Sequence, residues 1–314
     1  MENRQPLVSV ITPTYKRNPK FLESVISCVK GQTYKNIEHI IVDDNPPDSE
    51  YRKAVKEYME KFADDPSVVY VENPKNMGAS LARNNGIAAA KGEYIAFLDD
   101  DDHYWEEKTE AQVNFMIEND CDMSFSNVTA MNRNGKVVDF RDYSFVVKYD
   151  KTSLLKYHLM KNLAGTATFM YRTEALKRIG GFDDMKMSQE YMLMLKSIEQ
   201  GLKIRYLNRS DVCGVRDSEM EQISQGMNKI RGEKRLFEIK KQYYHVLTLR
   251  ERMYVRFRHQ VVMTVAYRRN KMYGKMLLSA FLMCVYSPLD CIYEMWDFVT
   301  KILRRRKAES KRDD

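Results

Sequence analysis

Tyr94-Ile95-Ala96-Phe97-Leu98 runs without a break into Asp99-Asp100-Asp101-Asp102. Five apolar residues, fenced by Gly92 on one side and by charge on the other, suit a short buried strand. Working upstream, the Ala-rich segment Leu81–Ala90 reads as a helix that Gly92 stops, and Val68–Val71 as a strand before it. Tyr51, Val55, Tyr58, Met59 and Phe62 recur at helical spacing. Ile37–Val42 is a further strand, closing on the turn chemistry of Asp43-Asp44-Asn45-Pro46-Pro47. Phe21, Leu22, Val25, Ile26 and Val29 mark a helix ended by Gly31, and β-branched Leu7–Thr12 is a strand ended by Pro13. Strand and helix alternate four times in about a hundred residues, which predicts an α/β fold with a mostly parallel sheet wrapped by helices.

Downstream the rhythm loosens. A helix over Glu106–Glu118 leads to a strand over Met123–Ala130, with Asn134-Gly135 as a hairpin turn. Thr166–Tyr171 reads as a strand, Glu174–Ile179 as a short helix and Gln189–Gln200 as an amphipathic helix. This portion is expected to form an antiparallel annex on the sheet.

The chain has 314 residues, 44% hydrophobic and 30% charged, with 13 Gly and 8 Pro. That composition excludes collagen, low-complexity linkers and wholesale disorder. Met1–Pro6 holds no apolar stretch, so no secretory signal is expected. Five scattered cysteines form no zinc pattern and read as reduced thiols of a cytosolic protein. The net charge of +7 is unevenly spread: residues 229–314 carry 21 basic and 9 acidic side chains, leaving −5 for the rest. A domain over 1–228 and a basic, mostly helical extension over 229–314 are therefore expected.

In an open α/β sheet, ligands bind at the carboxyl ends of the strands. Two acidic clusters fall there, Asp43-Asp44 and Asp99 to Asp102. An acidic turn is ordinarily a solvated loop. Four carboxylates placed directly after a buried strand are better relieved by a hard divalent cation, Mg²⁺ or Mn²⁺, which takes one or two carboxylates and fills its shell with water and phosphate oxygens. A nucleoside diphosphate is the natural partner. Neither GxGxxG nor GxxxxGK[ST] occurs, so no glycine-rich loop is available for the phosphates.

These segments, taken together, resemble family 2 glycosyltransferases. The resemblance is carried by Val8–Tyr15, Gln32-Thr33-Tyr34, Ile41–Asp44, Asn76-x-Gly78, Ala82-Arg83-Asn84-x-Gly86-Ile87, Lys91–Ile95 and Phe97–Asp102. It continues through Gly165-Thr166, Arg172-x-Glu174-Ala175-Leu176, Gly180-Gly181-Phe182-Asp183 and Gln189-Glu190-Tyr191, covering roughly residues 6 to 225. It implies the GT-A fold and an inverting, metal-dependent transfer from a UDP-sugar donor to a glycan or lipid-linked acceptor in surface polysaccharide synthesis.

Residue by residue, the resemblance implies that Asp44 pairs with the uracil N–H, with the backbone of Pro13 and Tyr15 as the other wall of the base pocket. Asp99-x-Asp101 resembles the DxD motif, with Asp101 the direct metal ligand, Asp99 turned to ribose or the metal's waters, and Asp100 beside the nucleotide. Arg83 braces the acids or the phosphates. Glu190 stands where the family places its base. Two departures stand out: Gln189-Glu190 replaces the family's usual Glu-Asp, and Arg216 is followed by Asp217 and Ser218 where many relatives carry a His. On spacing alone, Glu190 reads as a first-turn helix acid, Arg83 as a solvent-facing helical residue, and Asp44 as part of a turn. His103 reads as a loop residue and Trp105 as a cleft or core aromatic.

In the extension, Arg250, Arg252, Arg256, Arg258, Arg268, Arg269, Lys271 and Lys275 interleave with aromatic and aliphatic residues. Met276–Leu289 carries no charge over 14 residues, and Arg304–Lys307 is wholly basic. That stretch is short of the roughly 20 residues a membrane span needs. The pattern fits a helix lying in an anionic membrane interface and also a helical annex with a charged outer face. No DNA- or RNA-binding motif accompanies the charge, so no nucleic-acid partner is expected. The expected location is cytoplasmic and peripheral at the inner face of the cell membrane. A nucleotidyltransferase and an inactive nucleotide-sugar-binding scaffold are the rival readings. The first lacks its glycine-rich loop; the second is favoured by Gln189.

Overall fold

The computed structural model describes residues 5–132, 136–163, 165–215 and 226–293. The chain divides into two compact units, Met1–His158 with Asn162–Glu221, and Leu159–Lys161 with Gln222–Asp314.

The first unit opens with the expected alternation: β1 (Val8–Thr14), α1 (Pro19–Lys30), β2 (Ile37–Asp43), α2 (Glu50–Met59), β3 (Val68–Glu72), α3 (Ala79–Ala89) and β4 (Tyr94–Phe97). Asn18 and Ser49 cap α1 and α2 by accepting from Lys20 N and Arg52 N, satisfying donors that a helix start leaves unpaired. The chain continues through β5 (Asp102–Tyr104), α4 (Lys108–Glu118), β6 (Met123–Ser126), β7 (Val128–Met131), β8 (Val137–Arg141) and α5 (Lys151–Lys161). It then forms β9 (Met170–Arg172), α6 (Thr173–Arg178), α7 (Gln189–Glu199), β10 (Ile204–Leu207) and β11 (Val212–Val215).

Among the described residues, seven strands form one sheet in the order β10-β6-β9-β4-β1-β2-β3. β9 alone runs antiparallel to its neighbours, β4 and β6. The order reverses at β1, whose neighbours are β2 and β4, so the carboxyl ends of these strands flank the switch point where α/β sheets bind ligands. Buried Val8, Val10, Ile41, Tyr94 and Ala96 face a core shared with Leu22, Val25, Ile26 and Val29 of α1. On the sheet's other face α3 lies close to β1, because residue 86 is glycine: a Cβ there would stand 2.5 Å from Ile11 Cγ2.

The expected antiparallel annex takes a different form. The stretch over Met123–Ala130 breaks into β6, in the main sheet, and β7, in a second sheet of order β5-β11-β7-β8. That sheet is mixed, since β11 pairs β7 in parallel and β5 antiparallel. Thr166–Thr168 is a 3₁₀ turn rather than strand. The Asn134-Gly135 turn, Arg216 to Ser218 and Arg304–Lys307 lie outside the described residues.

The second unit holds α8 (Gly226–Gln242), α9 (Leu249–Arg269) and α10 (Tyr273–Tyr286). Thr248 and Glu251 start α9 with a reciprocal capping box. Ile230, Met263, Ala266 and Tyr267 form its small core, joined by Met272 and Met276.

Candidate active site

The chain turns sharply after β4. Asp102 N donates to Asp99 O at 3.0 Å, so the acidic run folds back into β5 and its carboxylates fan out. Each finds a different partner. Asp99 pairs with Arg83 Nη2. Asp100, 8% exposed, accepts from Thr14 Oγ1 at 2.8 Å and from Arg17 Nε at 3.2 Å. Asp101 accepts from Arg17 Nη2 at 2.6 Å. Burial pushes Asp100 up to about 7, with Arg17 pulling the other way and Asp101 adding its charge. Burial, then the charge of Asp99, also raises Asp101. Arg17, in the loop after β1, is the residue that the sequence reading missed. A lone arginine after Tyr15-Lys16 carries no signal, since the carboxylates it serves are more than eighty residues away.

Arg83 is buried, not solvent-facing as its spacing alone suggested. Its Nη1 donates to Gln189 Oε1 at 2.8 Å while Nη2 serves Asp99, and its guanidinium lies 5.5 Å from the Phe182 ring centroid. Asn84 secures the neighbouring segment: its Nδ2 donates to Phe182 O, and Phe182 N donates to its Oδ1, both at 2.8 Å. Ser80 Oγ donates to Met185 O. One face of α3 thus guides residues 182–189 into α7, whose first turn carries Glu190. Glu190 is half-buried and makes no hydrogen bond or ion pair among the described residues.

The Gln189 departure has a physical reason here. Its neutral amide gives Arg83 an acceptor without adding charge beside Asp99, Asp100 and Asp101.

Asp44 directly follows β2. Its carboxylate is 2% exposed and accepts four donors: Asn73 Nδ2 and Met77 N at Oδ1, both at 2.8 Å, and Asn76 Nδ2 at 2.8 Å and Gly78 N at 2.9 Å at Oδ2. A carboxylate has about four lone-pair positions, and these four donors fill them, so Asp44 clamps the 73–78 loop to the end of β2. Its neighbour Asp43 is equally committed, to Asn45, Tyr70 and Arg52. Pro13 lies in β1 opposite Val42, and Tyr15 follows the strand at 39% exposure. His103 meets Trp105 edge-on at 5.3 Å, and Trp105 stays 46% exposed beside the acidic turn.

Among the described residues, no three His, Cys, Asp or Glu side chains converge as a metal cage. Asp99 and Asp101 offer two hard oxygen donors at one turn, a set that fits Mg²⁺ or Mn²⁺ only when phosphate oxygens and water complete the shell.

Comparison with known proteins bears on the family and the fold. The family model described as Glycosyl transferase family 2 matches residues 9–180. An uncharacterized glycosyltransferase of Methanocaldococcus jannaschii is 31% identical over 204 residues, 64% of this chain and 68% of that one. TuaG of Bacillus subtilis, named for teichuronic acid biosynthesis, is 40% identical over 139 residues, 44% of this chain and 53% of its own. The fold is similar to S. aureus TarS 1–349 in complex with UDP-GlcNAc, with a TM-score of 0.55 at 18% identity over 89% of this chain and 71% of that one. It is also similar to the mannosyltransferase PcManGT of Pyrobaculum calidifontis in complex with GDP-Man and Mn²⁺, at 0.59 and 16%, over 96% and 81%.

Proposed function

Because this chain belongs to glycosyl transferase family 2, we propose that it moves a sugar, with inversion, from a UDP-sugar to a hydroxyl of a glycan or lipid-linked acceptor during surface polysaccharide assembly. The observation that carries this reading is the Arg83 bridge, which ties the acidic turn after β4 to the residue preceding Glu190. The bridge supports this reading because it links the acidic turn to the start of the helix that carries Glu190, the two sides an inverting displacement needs. TuaG supports the polysaccharide role, and the TarS complex supports a UDP donor.

In this reading Asp101 and Asp99 hold the divalent cation of the donor diphosphate, and Asp100 and the backbone of Pro13 and Tyr15 line the nucleotide pocket. Asp44 serves that pocket by fixing the 73–78 loop. When bound, the cation neutralises charge that builds on the departing diphosphate. Arg83 holds Asp99 in place for that duty. Glu190 takes the proton of the acceptor hydroxyl, whose oxygen bonds to the anomeric carbon as the bond from that carbon to the diphosphate oxygen breaks. The transition state is oxocarbenium-like, so acceptor and carboxylate work from the ring face opposite the leaving group. Residues 229–314 hold the enzyme at the inner face of the cell membrane, beside a lipid-linked acceptor.

The test begins with thermal stabilisation by a panel of UDP- and GDP-sugars with Mn²⁺, where a bound nucleotide raises the melting temperature. Glu190→Gln is then expected to keep that stabilisation and lose transfer. Undiminished transfer by the variant would remove Glu190 from the base role.

A further inference from the structure

Helix α10 turns its apolar side outward. Tyr273, Leu277, Leu278, Phe281 and Val285 are 51 to 65% exposed, and at about 100° per residue they span an arc of roughly 140°. The opposite side is already seated: Met276 packs on the Met263, Ala266 and Tyr267 core, Ser279 is buried, and Thr264 Oγ1 donates to Met283 Sδ at 3.5 Å. A helix that ends at water carries its polar residues outward; this one does the reverse. Beyond the break at Ser287, the helical residues 288–293 expose Leu289, Ile292 and Tyr293 by 63 to 75%, with the half-buried Asp290 among them. So large a contiguous apolar patch marks a contact surface.

The charge around it selects the occupant. From Arg252 to Leu289 there is no acidic side chain, while seven Arg and Lys residues occur, and Asp290 is a single acid within the 289–293 segment. A second copy of the chain would bring the same seven cations against them, whereas an anionic lipid leaflet is complementary. Fourteen residues of helix extend about 21 Å, short of the roughly 30 Å hydrocarbon core. No helix among the described residues is long and apolar enough to cross a membrane. A contact in the plane of the bilayer is what remains.

We propose that the outward face of α10 inserts into the interfacial layer of an anionic bilayer, with Leu277, Phe281 and Val285 among the acyl chains and the flanking cations on lipid phosphates. This rests on the membrane attachment read above for residues 229–314 and names its contact; it is independent of the sugar chemistry.

The experiment uses the full chain and two vesicle types, pure phosphatidylcholine and phosphatidylcholine with phosphatidylglycerol. Wild-type protein is expected to float with the anionic vesicles at physiological salt, and the double variant Leu277→Asp/Phe281→Asp to bind them about tenfold more weakly or less. Both side chains are exposed, so the variant is expected to melt with wild type and to transfer sugar to a soluble acceptor at the wild-type rate. Equal flotation of variant and wild type overturns the proposal, as does absent flotation of wild type. So does a wild-type dimer in sedimentation that the variant dissociates, since the face would then bind a second copy. Loss of transfer in both proteins with the flotation difference intact counts against the catalytic reading alone and supports this one.

Discussion

Arg83 Nη1 donates to Gln189 Oε1 at 2.8 Å, joining α3 to the first residue of α7 across 106 positions of chain. The same guanidinium pairs with Asp99. A planar fork serves two acceptors in fixed directions, which an ammonium on a flexible stem does not. Arg83→Lys is therefore expected to lower the transfer rate by about 10- to 100-fold, in keeping with the cost of small misplacement of reacting groups. Nucleotide affinity should fall much less. Steady-state kinetics alongside nucleotide titration check this; an unchanged rate would show that the bridge does not position Glu190.

Arg17 is the counter-charge of Asp100 and Asp101. Removing one partner of a buried pair leaves the other charge uncompensated. Arg17→Met is expected to destabilise the protein by about 1–3 kcal/mol in the absence of divalent ions, discounted because the Arg17 side chain is 25% exposed. Mn²⁺ with UDP should restore more stability to this variant than to wild type, since a cation then meets the same carboxylates. Denaturant midpoints with and without these ligands measure both effects, and equal increments in the two proteins would contradict the argument.

These two arginines show where sequence reading stops. The alternation through β4 was legible because each element carries its own pattern, β-branched runs for strands and 3.6-residue spacing for α1 and α2. The acidic turn was legible because it follows a strand directly. β9 was legible only as a strand over Thr166–Tyr171; its shortness and its place between β4 and β6 were not, since they come from its partners rather than from Met170-Tyr171-Arg172 itself. The clamp at Asp44 was not legible because its four donors come from residues 73–78, nor was the bond of Gln189 because its partner is on α3. Long-range polar pairing leaves no local periodicity to read.

Asp44 supplies the next expectation. Asp44→Asn keeps the size of the side chain but points an amide donor at two existing donors, whichever way it is turned. Unmet buried hydrogen bonds cost about 1–3 kcal/mol each, so a loss of about 2–4 kcal/mol is expected, read as a lower unfolding midpoint. Because the clamp acts through the 73–78 loop, affinity for UDP and GDP should fall together. Selective loss of UDP binding with unchanged stability would instead give Asp44 the base contact that the resemblance implied.

His39 sets the acid limit of the fold. It lies in β2 at 2% exposure, its Nε2 2.9 Å from Thr12 Oγ1 on β1, and its Nδ1 has no partner among the described residues. Burial, with some repulsion from Lys30, holds it down to about 3, against about 6.5 in an unfolded chain. Between those values the unfolded state binds a proton that the folded state does not. Stability is therefore fully present above about 6.5 and falls as pH drops toward 3, by up to about 1.4 kcal/mol per pH unit from this group. His39→Gln keeps a side chain able to bond Thr12 and removes the titration. Its urea midpoint is expected to decline less steeply than that of wild type between about pH 6.5 and pH 4; parallel declines would mean that His39 is not the group being protonated on acid unfolding.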